Sequence, residues 1–400
     1  MEIHCARNPI FDQQRNVFGY DLNFRSGFQD YYDHLDPRNT SDPIPFFKFR
    51  ELTDGRRGFV TASRELVLNL NTSVFPKGLI TLAVPEDLPP ESDVLDACKR
   101  LKNAGVILAK NHVRPDEADS PLLDLLDVAR LDYRSVPEEE RRIVHEVLRE
   151  KRVKTLAAGL TSAEEYEDAA ANEFHLFQGE FFFRPATAPQ GEIHTNKLTY
   201  LRVMNEVFKP SLLYDELAGL IEQDVSMSYK LLKFINSAWF GLKYEIKSIK
   251  HALVLLGPQE IKRWLSIAVV RDTGQDKPYE LLLRCLSRAK LAEQIGEQLP
   301  GFSRRASELF LMGLLSGIDA LIDQPMNVVL EGLPVSPSIK SALLGERGGL
   351  RDVYDVILAY ETGRWGDFSE TAGVIRLDES AMPDMTAAAL KWGNNILSES

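Results

Sequence analysis

The chain has 400 residues, a length that favours two domains over one. Hydrophobic residues make up 44% of the sequence and charged residues 26%, which excludes a disordered, collagen-like or coiled-coil chain. The formal net charge of −12 repels polyphosphates, so binding to DNA is not expected.

The cysteines and the chain start indicate a cellular compartment. Cys5, Cys98 and Cys285 lie far apart and form no CxxC pair, which favours a reducing environment. The first fourteen residues contain Glu2 and Arg7 and no continuous apolar segment, so no secretory signal is predicted. No uncharged apolar run reaches the length of a membrane span. We therefore expect a soluble, cytoplasmic protein without a membrane span.

The first half alternates short β-rich runs with helical patterns, which is typical of βα units around a largely parallel sheet. Strands are predicted at 17–24, 67–70, 79–84, 106–109, 128–131, 154–157 and 175–177, and clear helices at 94–104 and 138–151. This pattern predicts a TIM-like β/α barrel. Residues 1–187 are fewer than the roughly 250 of a typical barrel, so a trimmed form is expected.

A segment rich in Pro, Ala and Gly follows, and from Asn196 onward the apolar residues recur at helical spacing. Gly257 and Pro258 are predicted to end one helix and start another. A single helix is predicted over 306–322 and a last one over 353–362. The predicted organisation is therefore a barrel at 1–187, a linker at 188–195 and a helical bundle at 196–400.

Common catalytic motifs are missing from the sequence. None of the seven histidines belongs to an HExxH pair or is followed by Asp. The phosphate-binding pattern GxxxxGK[ST] and the nucleophile pattern GxSxG are also absent. Motifs alone therefore predict no enzyme.

Both halves resemble known families. The stretch ARNPIFDQQRNVFGYDLNFR at 6–25 resembles the opening of EAL domains, which hydrolyse cyclic di-GMP, in the form found in EAL–HDOD proteins of the YuxH type. The stretches IEQDVSMSYKLLKFINSAWFG (221–241), IKSIKHALVLLGPQEIKRWLSI (246–267) and FLMGLLSGIDAL (310–321) resemble HDOD domains, helical relatives of HD phosphohydrolases. The resemblance implies a degenerate EAL barrel followed by an HDOD bundle.

EAL phosphodiesterases hold Mg²⁺ or Mn²⁺ through carboxylate and amide oxygens at the ends of the barrel strands. The resemblance places matching or closely related residues at four positions of this site: Asp21, Asn69, Asp132 and Gln178. It places different residues at five others: Ala83, Asn111, His112, Arg130 and Ala158. Neutral side chains give a divalent ion neither charge attraction nor enough ligands, so no metal, no cofactor and no enzyme activity are expected.

The second half shows the same kind of loss. Where HD phosphohydrolases carry a metal-binding His-Asp pair, this chain has Ser316 and Gly317, so no metal is expected there either. Asn236 either hydrogen-bonds at a helix end or contacts a partner. Phe240 is predicted to fill the core, and Trp239 to be partly exposed and to anchor a protein partner.

These observations predict a non-catalytic bacterial signalling or scaffold protein that contacts other signalling proteins, and they are compatible with a homodimer. The alternative is a cyclic di-GMP receptor that binds without hydrolysis. In that case Arg25, at the position of the family's substrate-binding Arg, and Gln178 would contact the dinucleotide. Lys110 and Arg130 would add positive charge nearby.

Overall fold

The structure is a computed structural model. It describes residues 3–35, 49–72, 78–185, 214–223, 228–229, 231–232, 235, 248–274, 277–333 and 335–398. Its contacts group into two units. The first unit comprises Met1–Arg184, Asp355–Gly373 and Asp378–Ala387. The second comprises Pro185–Tyr354, Val374–Leu377 and Ala388–Ser400.

The first unit contains a closed barrel of eight strands in sequence order. The strands are β1 (Cys5–Phe11), β2 (Val17–Phe24), β3 (Arg57–Thr61), β4 (Ile80–Val84), β5 (Ile107–Asn111), β6 (Val128–Asp132), β7 (Lys154–Leu160) and β8 (Leu176–Gly179). β1 runs antiparallel to both of its neighbours, and all other pairs are parallel. The predicted TIM-like architecture is confirmed, with one strand reversed.

Two strands escaped prediction and one predicted strand is wrong. β1 and β3 are present in the barrel, whereas residues 67–70 fall mostly in the helix Arg64–Asn69. The hydroxyl of Ser63 accepts a hydrogen bond from the Leu66 amide and caps this helix. Leu66 and Val67 are buried, so burial together with the cap outweighs the strand propensity of this short run.

Helices cover the outside of the barrel at Gly27–Leu35, Arg64–Asn69, Ser92–Asn103, Glu138–Glu150 and Ala163–Ala171. The helix Ser92–Asn103 buries Val94, Ala97, Cys98 and Leu101, which recur at helical spacing and form a single apolar face. Gly105 follows with φ +89°, the left-handed conformation that ends the helix.

Small side chains occupy part of the barrel interior. The inward cluster consists of Ile10, Phe59, Ala83, Ala109, Val128, Leu156, Ala158 and Leu176. Three of its eight members are alanines, which fill less volume than the branched residues usual in barrels. A concavity of about 320 Å³ opens at the end of the barrel where the parallel strands have their carboxyl-terminal ends, and this volume includes open solvent.

Helices make up the described part of the second unit, which confirms the predicted helical half. They include Tyr214–Glu222, Ile249–Thr273, Tyr279–Gln298, Ala306–Leu315, Ile318–Ile322, Met326–Glu331 and Pro337–Leu343. Gly257 has φ +72°, so the chain kinks before Pro258, as predicted. The predicted helix over 306–322 is interrupted at Ser316 and Gly317.

The C-terminal region is shared between the two units. The chain forms helices at Gly349–Glu361, Trp365–Ile375 and Met382–Ser398, and the last two were not predicted. Residues 355–373 and 378–387 belong with the barrel, so the first unit is not one continuous segment. The predicted linker at 188–195 lies outside the described residues. Among the described helices, none is long and apolar enough to cross a membrane.

Candidate functional site at the barrel mouth

The carboxyl-terminal ends of β2 to β8 form the mouth of the barrel, where parallel β/α barrels place their functional residues. Asp21 on β2, Arg130 on β6 and Gln178 on β8 meet here. One oxygen of Asp21, Oδ2, accepts hydrogen bonds from Arg130 Nη1 and from Gln178 Nε2, both at 2.9 Å. The fold therefore brings together three predicted site residues that are up to 157 positions apart.

The cluster of Asp21, Arg130 and Gln178 is partly open to solvent. The side chain of Asp21 is 22% exposed and that of Arg130 is 33% exposed. Gln178 is buried, and its Oε1 atom has no hydrogen-bond partner among the described residues. The guanidinium of Arg130 offers five N–H donors, and the hydrogen bond to Asp21 uses one of them, so donors remain for a ligand.

Asn69 does not lie where the sequence placed it. It is the last residue of the helix Arg64–Asn69, and it is exposed and absent from the lining of the mouth. Thr61, at the end of β3, lines the mouth instead. Asn69 was assigned to the site because it follows a strand-like run of residues. The true strand, β3, ends eight residues earlier, at Thr61.

Asn111 and His112 lie at the end of β5, and Asn111 lines the concavity. His112 has φ +49°, a left-handed conformation that is uncommon outside glycine. Its Nε2 atom lies 3.5 Å from Glu86 Oε1, and both side chains are about half exposed. His112 therefore points to a solvated carboxylate, as expected for a polar residue at a barrel mouth.

Asp132 lies at the end of β6, where its Oδ1 accepts hydrogen bonds from the amides of Arg134 and Ser135, each at 3.1 Å. Desolvation raises the pKa of this carboxyl. The backbone hydrogen bonds from Ser135 and Arg134 outweigh desolvation, so the pKa is lowered from the ordinary value of 3.8. Asp132 is thus a stable anion at neutral pH.

Lys110 does not add charge to the mouth. It is buried, and its Nζ donates to Glu117 Oε1 at 2.7 Å and to the Glu86 carbonyl at 3.1 Å. It is absent from the lining of the concavity. The positive charge lining this opening therefore comes from Arg130.

The residues at the mouth do not fit the divalent ion that the EAL resemblance implies. Ala83 and Ala158 are buried and carry no ligand atom. A guanidinium already contacts the Asp21 carboxylate, and its positive charge repels a cation at that place. Among the described residues, no group of three or more His, Cys, Asp or Glu side chains is arranged to hold a metal.

Arg25 follows β2 and is engaged by the C-terminal part of the first unit. Its Nη1 lies 2.6 Å from Glu379 Oε2, and its Nη2 donates to Ser369 Oγ at 2.8 Å. Neither contact was foreseen from the sequence, because the partners are 354 and 344 positions away. The predicted phosphate-binding Arg thus already holds an anion from its own chain.

In the second unit, Ser316 and Gly317 stand where the resemblance implies a lost His-Asp pair, and both residues are buried. Ser316 is buried, and its hydroxyl donates to the Gly313 carbonyl at 2.7 Å. Arg288, only 3% exposed, donates from Nη1 to Ser316 Oγ at 3.2 Å and to the Tyr354 hydroxyl at 3.1 Å. A buried guanidinium therefore lies beside the position of the missing ligands. Asn236, Trp239 and Phe240 lie outside the described residues, so their roles stay predictions.

Comparison with known proteins agrees with both halves. The HDOD domain model matches residues 195–325. The uncharacterized protein YuxH of Bacillus subtilis is 29% identical and covers 99% of each chain. The cyclic di-GMP phosphodiesterase CdgJ of Vibrio cholerae is 25% identical over 98% of this chain and 93% of its own.

Solved EAL structures match the first half at low similarity. An EAL domain protein from Listeria monocytogenes is 13% identical, with a TM-score of 0.34, and covers 45% of this chain and 87% of its own. A standalone EAL protein from Vibrio cholerae, in its c-di-GMP bound form, is 15% identical, with a TM-score of 0.33, and covers 44% of this chain and 90% of its own.

One prediction needs correction. We expected from the sequence that the chain is not an enzyme, and that prediction is wrong on this comparison, because a relative matched over almost the whole chain is a phosphodiesterase. The HDOD match and the two relatives matched over almost the whole chain support the resemblance of this chain to EAL–HDOD proteins.

Proposed function

We propose that this chain is a signalling protein of the cyclic di-GMP system that acts through contacts with other proteins. Its similarity to a cyclic di-GMP phosphodiesterase over 98% of its length supports the signalling system. We also propose that it acts in the cytoplasm, since all three cysteines are free thiols, as is usual in a reducing compartment.

The distribution of exposed apolar side chains carries the proposal of protein contacts. Among the described residues, one exposed large apolar side chain, Ile143, belongs to the first unit. Seven belong to the second unit: Tyr229, Val254, Leu255, Tyr279, Val328, Leu344 and Val374. Apolar surface left in water favours burial against a partner. The second unit is therefore our candidate for the interaction surface.

Val254 and Leu255 are neighbours on the helix Ile249–Thr273 and are 56% and 43% exposed. The test is affinity capture from the source bacterium with the full chain as bait, comparing the wild type with a Val254→Ser, Leu255→Ser double variant. Ile143→Ser is the matched control, an exposed apolar residue of the first unit. A partner that is lost with the double variant and kept with the control supports the proposal. Equal capture by all three proteins contradicts it.

A second function is binding of cyclic di-GMP at the barrel mouth. The observation that favours it is the guanidinium of Arg130, which is fixed by Asp21 and lines an open concavity. A guanidinium binds phosphate oxygens through paired hydrogen bonds, so it can supply the positive charge for a phosphodiester. Isothermal titration with cyclic di-GMP tests this function, and weaker binding by Arg130→Ala is the expected result.

A further inference from the structure

Arg25 directly follows the mouth end of β2, the strand that carries Asp21. Its backbone amide donates to the His4 carbonyl at 3.0 Å, which extends the pairing between β1 and β2 by one more residue. Arg25 is therefore fixed by the barrel itself, and its guanidinium extends from the strand end that also presents Asp21 to the mouth.

Three groups of the C-terminal part of the first unit surround this guanidinium. Glu379 Oε2 lies 2.6 Å from Nη1, and Ser369 Oγ lies 2.8 Å from Nη2. Ser369 also donates to Glu379 Oε2 at 3.3 Å, so one carboxylate oxygen is held by two donors. The ring centre of Phe368 lies 5.8 Å from the Arg25 guanidinium carbon, within range of a cation–π contact. This arrangement is an occupied anion site.

The residues around the site are closely packed. Phe368 is fully buried, and its ring contacts the rings of His4 and Tyr360 at centroid distances of 6.0 and 5.1 Å. Gly363 has φ +67°, and a Cβ at this position would come within 2.5 Å of the Asn23 amide nitrogen. The backbone of the C-terminal segment is thus fitted closely against β2.

The ion pair itself lies at the edge of this frame. The side chains of Arg25 and Glu379 are 36% and 32% exposed. Exposed ion pairs contribute little to stability and exchange readily with water. The Glu379 carboxylate can therefore leave Arg25 without disturbing the buried contacts beneath it.

We propose that Glu379 is an intramolecular competitor for Arg25, and that a phosphodiester anion of cyclic di-GMP must displace the Glu379 carboxylate to bind there. This inference rests on the proposed binding of cyclic di-GMP at the barrel mouth. Carboxylate and phosphate compete for the same guanidinium donors, and Ser369 remains as a further donor for a phosphate oxygen. Glu379 thereby sets the ligand concentration at which the site is filled.

The test is isothermal titration of the full chain with cyclic di-GMP. Glu379→Gln removes the competing charge and keeps the shape of the side chain, so it is expected to tighten binding by at least about threefold, as release of an exposed ion pair allows. Asp367→Asn is the matched control, since Asp367 is an acidic residue of the same segment whose ion pair at 2.8 Å is with Arg364. The control is expected to bind like the wild type.

The double variant Arg25→Ala, Glu379→Gln separates competition from a general change of charge, because the gain is expected to vanish without Arg25. A gain that persists in the double variant, or an equal gain in Asp367→Asn, overturns the inference. Inorganic phosphate serves as a second probe, and a gain for phosphate as large as that for cyclic di-GMP would overturn the assignment to the dinucleotide.

The same titrations distinguish failure of the proposed competition from failure of the proposed cyclic di-GMP binding. Binding by the wild type that neither Glu379→Gln nor Arg25→Ala changes would refute the competition and leave cyclic di-GMP binding in place. Failure of every variant to bind cyclic di-GMP would refute both.

Discussion

The two halves of the molecule each contain an arginine beside positions where the resemblance implies lost metal ligands, but the two arginines have different surroundings. At the barrel mouth, Arg130 is one third exposed, contacts a carboxylate and faces an open concavity. In the helical unit, Arg288 is buried and contacts the hydroxyls of Ser316 and Tyr354. An arginine beside lost ligand positions therefore stays open to solvent in one unit and belongs to the buried core in the other.

The surroundings of Arg288 are also more tightly packed than those of Arg130. Ala83, Ala109 and Ala158 contribute small side chains to the barrel interior, next to an opening. In the helical unit, a Cβ on Gly313 would come within 2.5 Å of the Arg288 backbone, so the two helices touch there without spare volume. We therefore expect mutations near Arg288 to change stability and mutations near Arg130 to change binding.

The largest expected effect is that of Arg288→Ala. Loss of a buried side chain that donates to Ser316 and Tyr354 leaves a cavity and removes two buried hydrogen bonds, and should lower the free energy of unfolding by about 3 kcal/mol. Urea denaturation of the full chain measures it, with the exposed Arg304→Ala of the same unit as control. If Arg288→Ala were as stable as the control, the buried cluster would not be structural.

A smaller effect is expected from Gly313→Ala. The added methyl meets the backbone of Arg288, so the helices must separate, at a cost of about 2 kcal/mol. Its counterpart in the barrel is Ala83→Val, which adds volume beside the concavity and should cost less than about 1 kcal/mol. Thermal unfolding of both variants compares the two sites. Equal losses would show that the barrel interior is packed as tightly as the helical core.

Arg130→Ala should change the free energy of unfolding by less than about 1 kcal/mol, because the Arg130–Asp21 pair is partly exposed and screened by solvent. Chemical denaturation of Arg130→Ala and Arg288→Ala side by side sharpens the contrast between the two arginines. A loss for Arg130→Ala as large as that for Arg288→Ala would remove the distinction on which the recognition site depends.

The smallest expected effect concerns pH. The pKa of Asp132 is lower in the folded protein, so its contribution to stability is present above its ordinary pKa of 3.8 and is lost as the pH falls through the lower folded value. Asp132→Asn should therefore lose less stability on acidification than the wild type. Unfolding midpoints measured from pH 5 down to pH 3 test this, with exposed Asp116→Asn as control. Identical pH profiles for wild type and Asp132→Asn would contradict the hydrogen-bonded state of this carboxylate.

Local patterns predicted much of the fold. The alternation at 17–24 gave β2 at its observed bounds, and the apolar spacing at 94–104 gave the helix Ser92–Asn103 within two residues. β1 was missed because Asn8 and Pro9 interrupt its apolar pattern, although the antiparallel pairing tolerates them. β3 was missed because it is only five residues long and includes Gly58.

The site was predictable only where a residue is fixed by its own strand. Asp21, Arg130 and Gln178 were named from the sequence and do meet, because each lies near the mouth end of a barrel strand. The ion pair between Glu379 and Arg25 could not be predicted from the sequence near either residue. It depends on a C-terminal segment whose last two helices were not predicted. The position predicted for Asn69 rested on a local pattern that resembles a strand. These residues form a helix instead, because Leu66 and Val67 are buried on one of its faces.

Arg130 is proposed to supply the positive charge for an anion at the barrel mouth. Isothermal titration of the full chain with cyclic di-GMP, in buffer containing a metal chelator, tests it in one experiment. We predict saturable binding that Arg130→Ala weakens by at least about threefold, as expected for loss of a charged hydrogen-bond donor. This role of Arg130 would be contradicted by no binding, by binding that appears only after Mg²⁺ or Mn²⁺ is added, or by equal affinity of the wild type and Arg130→Ala.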